Sequence, residues 1–272
     1  MTDLYLRSSD GLDSDNGTTW ALSKASIDNV DGIASIDAAG DDVYISDNHN
    51  ESTGAAIAIV LEGTPNNPVK LLSVDDTADP EPPTALSAGA KITSSTSSIS
   101  VSGCLYSNGV EFSAYANINL SNGTNNDQSY EDCIFDLNRG GATGPKIVLG
   151  VQNNASASKI VLKNCQVAFA TSGQGLSTGS QDVHITGLSA KGGSQTTTGL
   201  FASLGITNRG GGITTVNASD LSGFNASINL VTSIYSGSKC VFSNCKLPAS
   251  WSGSLVSGTF GGAGTRVAMY YG

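Results

Sequence analysis

Glu131, Asp132 and Asp136 are neighbours in the chain; Arg139 and Lys163 could join them in space, although a solvated face is the expected role of this group. Such a grouping suits two kinds of chemistry. Abstraction of a proton beside a carboxylate needs a positioned base, Arg or Lys, and a cation that acidifies the carbon. Hydrolysis of a glycosidic bond needs two carboxyl groups a few ångströms apart. Other acids, Glu111, Asp182 and Asp220, stand apart from this group. Asp47, His49 and Glu51 alternate, which on a strand would put all three on one face and permit metal or acid–base work. No second His and no nucleophile joins them, so a hydrogen-bonded turn is the expected role. His184, between Val183 and Ile185, is expected to be an outward polar residue. Asp10, Asp13 and Asp15 with Asn16 and Gly17 suggest calcium, but the Gly is misplaced for an EF-hand and no closing Glu follows. An acidic turn is expected instead. No catalytic residue, cofactor or metal site is assigned.

The elements that would position these residues are short. Runs such as Ile99–Val101, Val110–Phe112, Ile118–Leu120 and Lys146–Leu149 alternate in character and are separated by Gly, Asn and Ser, as strands and turns are. One pattern recurs: an apolar residue, two small or polar residues, then Cys or another small or apolar residue. Its fourth positions are Cys104, Cys133, Cys165, Leu188, Ser219 and Cys245, spaced 29, 32, 23, 31 and 26 residues apart. Such periods belong to a solenoid coil with loops of differing length. The four cysteines are expected inward in one ladder, and the odd count of five predicts free thiols and assembly in a cytoplasm. No helical periodicity appears after residue 30. The fold predicted is all-β, a right-handed parallel β-helix. Residues 1–30 would form an N-terminal cap, 31–260 the solenoid and 261–272 a C-terminal strand or tail. At ~4.8 Å per coil the repeat section should be roughly 30 to 40 Å long. In the cap, Leu4-Tyr5-Leu6 reads as a strand and Thr18 or Thr19 as the cap of a helix from Trp20 to about Val30, with Trp20, Leu22 and Ile27 covering the open end. The segment Asp75–Thr84, with four acidic residues and three prolines, is expected to project as a loop.

Composition agrees. Hydrophobic residues make up 39% of the chain but aromatics only 6%, which suits a thin aliphatic interior and not a disordered chain. The formal charge of −10 with singly scattered Lys and Arg argues against nucleic acid. No apolar run reaches the roughly 18 residues of a membrane span, and Met1–Asp10 lacks a secretory signal pattern.

Ala39-Gly40-Asp41-Asp42-Val43-Tyr44-Ile45 resembles the first-coil signature of right-handed β-helix proteins of the polysaccharide lyase type. Glu62-Gly63-Thr64-Pro65-Asn66-Asn67-Pro68-Val69-Lys70-Leu71 resembles their second coil. Residues 4–51, with Arg7-Ser8, Asp10-Gly11, Asn16-Gly17-Thr18-Thr19-Trp20 and Asp47, His49 and Glu51, are similar to tailed-phage and prophage β-helix proteins. The resemblance implies a virion structural protein, either a capsid decoration (cement) protein or a small tail appendage, assembled in the host cytoplasm. It equally allows a carbohydrate-active enzyme, a lyase or a tailspike depolymerase. Scarce charge, few aromatics for sugar stacking and small size favour the first. The expected partners are two further copies in a homotrimer and phage capsid or tail proteins, with a glycan possible. The aromatic C-terminal run supplies the candidate interface: Val267, Met269, Tyr270 and Tyr271.

Overall fold

A computed structural model describes residues 3–27, 40–121, 126–139, 144, 146–150, 158–179, 182–193, 195, 197–203, 212–234, 237–258 and 261–270. The expected start of the solenoid at residue 31, and Tyr271, lie outside them. The chain is a right-handed parallel β-helix. Each coil passes through a ten-stranded sheet, a six-stranded sheet and a seven-stranded sheet, and every pairing between strands is parallel. Strands of two to six residues suffice because each needs only to cross one side of the coil before a turn. Alternation sends every second side chain into a thin shared core. Like residues stack there on successive coils: Ile57, Ile99, Ile118 and Ile147 are in register in the seven-stranded sheet. Phe112 lies flat on Phe135 with centroids 5.8 Å apart, and Tyr130 meets Phe135 edge-on at 5.3 Å. Each such fully buried side chain contributes about 1.5–3 kcal/mol through its removal from water.

The corner between the ten- and six-stranded sheets explains the recurring sequence pattern. The inward residue just before each six-stranded rung is His49, Ala90, Val110, Cys133, Cys165 and Leu188, continued by Ser219 and Cys245. One residue earlier the backbone turns through the left-handed region, at Gly109, Asp132, Asn164, Gly187, Ala218 and Asn244, with φ between 46° and 71°. Gly, Asn and Asp tolerate that conformation best, and they hold five of these six places. The expected four-cysteine ladder is therefore corrected. Register pairs Leu105 with Gln128, so Cys133 stacks on Val110, and Cys104 belongs to the other corner, ahead of strand Leu105–Asn108. Gly103 also has positive φ (89°), and a Cβ there would sit 1.5 Å from the Leu61 carbonyl oxygen. Two different corners thus share one local motif. All five cysteines are free thiols; four are buried and Cys245 is half-buried.

At the N-terminal end, strand Asp3–Leu6 is already the first rung of the ten-stranded sheet, paired with Asp42–Ser46. The expected helix from Trp20 is a single 3-10 turn, Trp20–Leu22, and Thr19 makes no side-chain cap bond. The chain is needed in extended form directly afterwards, because Lys24 exchanges backbone bonds with Tyr5 and Arg7 along the free edge of the first strand. Trp20 and Ile27 are buried, but Leu22 is exposed. Trp20 packs with Tyr5, Tyr44 and Val74 outside the coil. Residues 75–84, expected to project, fold back over this cluster. Asp76 and Asp79 grip Arg7 (3.2 and 2.6 Å), Glu81 accepts the Trp20 backbone N–H (2.6 Å), and the Pro80 carbonyl accepts its indole N–H (3.0 Å).

Strand Arg266–Tyr270 is the last rung of the ten-stranded sheet, in parallel register with Lys239–Ser243. Of the candidate interface, Val267 and Met269 pack half-buried against the core, and Tyr270 is exposed.

Candidate functional site

Four ionisable side chains meet on the outer face of the six-stranded sheet. Glu111 follows the inward corner residue Val110, so alternation turns it outward while Phe112 turns in. Register sets Lys91 beside it, and Asp136 lies two residues beyond its other partner, Ile134. Lys191 arrives from the 3-10 turn Lys191–Gly193 that follows the short strand Ser189–Ala190. Lys91 Nζ lies 2.8 Å from Glu111 Oε1. Lys191 Nζ lies 2.8 Å from Oε2 and 3.5 Å from Asp136 Oδ2. Burial alone would raise the Glu111 carboxyl, but Lys191 and Lys91 outweigh it and hold it below the ordinary range. Burial would likewise lower Lys191, and Glu111 with Asp136 turns the shift upward. Each partner thus locks the other in its charged form. A carboxyl that serves as general acid needs a raised pKa and a lysine that serves as base needs a lowered one, and the shifts of Glu111 and Lys191 run the other way.

The five residues grouped from the sequence do not come together as one site. Glu131 and Lys163 pair on the ten-stranded face, where Tyr106 also donates its hydroxyl to Glu131 (3.0 Å). The Lys163 bond, with Tyr106, lowers the Glu131 carboxyl despite slight burial, and the same bond raises Lys163. Asp132 is spent on the left-handed corner. Asp136 faces the other sheet, and Arg139 stacks on Tyr115, 5.2 Å from the ring centre. One corner of the coil separates residues only five apart in sequence. Lys91 and Lys191 were not singled out by sequence. The coil spacing from Lys91 to Glu111 was a usable signal, whereas Lys191 comes from a turn that periodicity does not mark.

Asp47 departs from its expected companions. It sits in the turn before strand Asn50–Thr53, so strand alternation does not reach it, and its Oδ2 accepts from Ser87 Oγ (2.7 Å). His49 and Glu51 both face inward, at the start of two core ladders, with Nε2 3.5 Å from Glu51 Oε2. Glu51 Oε2 also accepts the Ile27 N–H (2.8 Å), which ties the cap to the first coil. Neither ring nitrogen of His49 has a hydrogen bond among the described residues. His184 is partly buried on the ten-stranded face, its Nδ1 2.9 Å from Thr215 Oγ1.

The acids of the first turn work locally. Asp10 pairs with Arg7 (2.6 Å), and Asp13 accepts the Ser26 N–H and hydroxyl. Lys24 Nζ donates to the backbone carbonyls of Asp13 and Asp15 (3.0 and 2.7 Å). No group of three or more His, Cys, Asp or Glu placed to hold a metal occurs among the described residues.

Farther along the six-stranded face, Ser189, Ala190, Asp220, Ser222 and Gly223 line an open groove of about 230 Å³. Its one carboxylate, Asp220, is lowered first by Ser222 and then by Lys246, 3.1 Å away. Comparison with models of known families, with curated proteins and with solved structures finds no match, so the resemblance of residues 4–51 to phage β-helix proteins stands on its motifs alone.

Proposed function

We propose that this chain is a structural component of a tailed-phage virion, a capsid decoration protein or a small tail appendage, that works through protein–protein contacts. The observation that carries the reading is the pairing of Glu111 and Glu131 with lysines of the same chain. Glu111 and Glu131 are held as carboxylates by lysines on two different faces, which commits them to ion pairing within the chain. Sugar-stacking platforms are scarce as well: among the described residues only Tyr115, on which Arg139 stacks, and Tyr270 are exposed aromatic rings. Such a surface suits contact with protein better than chemistry on a glycan. The homotrimer expected from the sequence belongs to the same proposal, and sedimentation of the purified chain reads its mass.

The competing reading, a β-helix lyase or depolymerase, is tested directly. Incubation with pectate, alginate and host capsule should produce neither the ultraviolet absorbance of an unsaturated product nor new reducing ends. A reproducible rise in either, removed by Glu111→Gln or Lys191→Met in a folded variant, would establish the enzyme.

A further inference from the structure

Residues 75–84 cover an apolar cluster that is separate from the coil core. Along the first two rungs of the ten-stranded sheet, Leu4, Leu6, Val43 and Ile45 point into the core. Alternation therefore turns Tyr5 and Tyr44 outward, in register with each other and with Leu72. Trp20 meets Tyr5 edge-on with ring centres 5.0 Å apart, and Tyr5 lies 5.6 Å from Tyr44. Three adjoining rings thus form one aromatic surface on the outside of the solenoid. Arg7 borders it, 5.3 Å from the centre of the Trp20 ring. All three rings are nevertheless buried, together with Val74.

The covering segment reads Asp75-Asp76-Thr77-Ala78-Asp79-Pro80-Glu81-Pro82-Pro83-Thr84. Its two ends meet: Asp75 N–H bonds the Ala85 carbonyl, Val74 bridges to Leu86, and Ser87 N–H bonds the Ser73 carbonyl. It is a closed excursion from one rung, able to lift without unpairing a coil. What holds it down is side-chain chemistry. Arg7 takes Asp76 and Asp79, the Trp20 indole N–H donates to the Pro80 carbonyl, and Glu81 accepts the Trp20 backbone N–H. Glu81 also stands close enough to Tyr5 to raise its phenol, after the effects of burial and Asp3. Pro80 and Pro83 are half-buried, whereas Glu81 and Pro82 between them are exposed. Aromatic grooves hold proline-rich segments by such contacts, and arginine holds acidic ones.

We infer that Arg7, Tyr5, Trp20 and Tyr44 form a docking surface for an acidic, proline-containing segment of a partner protein, and that residues 75–84 are a built-in occupant which such a segment displaces. The chain carries the template of the ligand in its own sequence. Arg7 can pass from the carboxylates of one segment to those of the other, so the exchange strands no charge. A tethered occupant competes at a roughly millimolar effective concentration, so the incoming segment binds in proportion to the fraction of chains whose tether has lifted. The inference holds whether or not the chain is part of a virion.

Titration of the full chain with a synthetic peptide of residues 75–84 tests it, with the Trp20 indole N–H resonance as reporter. Two variants loosen the tethered occupant and leave Arg7 and the rings untouched. One combines Asp76→Asn with Asp79→Asn, and the other replaces residues 76–83 by a Gly-Ser stretch of equal length. Circular dichroism checks that each folds; the first changes only two carboxylates at the surface and decides the matter if the second does not fold. The variants should bind the peptide saturably and at least about tenfold more tightly than wild type does. Asp76→Asn with Asp79→Asn in the peptide should weaken its binding about tenfold, because Arg7 then has no carboxylate to take. Any of three outcomes would overturn the inference. The Trp20 resonance of a folded variant does not respond to the peptide at about 5 mM; wild type and the folded variants bind it with equal affinity; or a peptide of scrambled sequence binds as well.

Discussion

At Glu111 one carboxylate answers two lysines, and removing its charge exposes what the group does. Glu111→Gln leaves Lys91 and Lys191 without their shared anion on a partly buried face, and should cost about 1–3 kcal/mol in denaturant unfolding. Its pH signature has a defined sign. Because the folded pKa lies below the ordinary value of 4.5, the contribution is complete above that value and is lost as pH falls through the folded one. A wild-type stability curve should therefore fall more steeply on the acid side than that of Glu111→Gln. The thiols give a second residue-scale test. Burial pushes Cys133 up to about 11 and Cys240 up to about 12, and it raises Cys165 as well. At pH 8 the folded protein should react slowly with a thiol reagent, and the unreduced, denatured protein should show all five groups. Fewer than five would reveal a bridge.

At the scale of elements, the loop 75–84 is the part most open to a simple experiment. Arg7 joins the cap to it through Asp76 and Asp79, and lies 5.3 Å from the centre of the Trp20 ring. Arg7→Ala should destabilise the fold by about 1–3 kcal/mol and speed proteolytic cleavage within residues 75–84. Cleavage unchanged from wild type would mean that the clasp does not hold the loop. This loop also shows where sequence reading stopped. Its acids and prolines read as a solvated projection because Arg7 is about 70 positions away, and only the fold makes them neighbours. The strands and their inward faces were legible, since alternation is local and each rung repeats it. Register was less so. The Gly103-Cys104 step mimics Asp132-Cys133 in residue type and in its left-handed turn, yet it belongs to another corner. The helix expected after Thr19 failed for a different reason: pairing with Tyr5 and Arg7 satisfies the backbone of Lys24 better than continuing the turn would. The candidate acids misled through proximity in sequence, because a coil corner lies between Glu131 and Asp136.

Over the whole molecule, the stacking of coils converts order in the chain into position along an axis. That is why the uneven distribution of charge in the sequence, with only Asp182 and Asp220 of the 23 acidic residues beyond residue 139, leaves the later coils poorer in acids than the earlier ones. The lateral faces carry ion pairs matched within the chain, Glu111 with Lys91 and Lys191 and Glu131 with Lys163, and on the proposed reading their work is contact with other proteins. The measurement that bears most directly on the proposed virion role is cryo-electron microscopy of purified particles of the phage that, on that reading, encodes the chain, with quantitative mass spectrometry of the same particles. The account predicts density for stacked β coils at symmetric positions on the head or tail, in a fixed copy number per particle. Particles that lack the chain, while it accumulates free in the lysate, would contradict it.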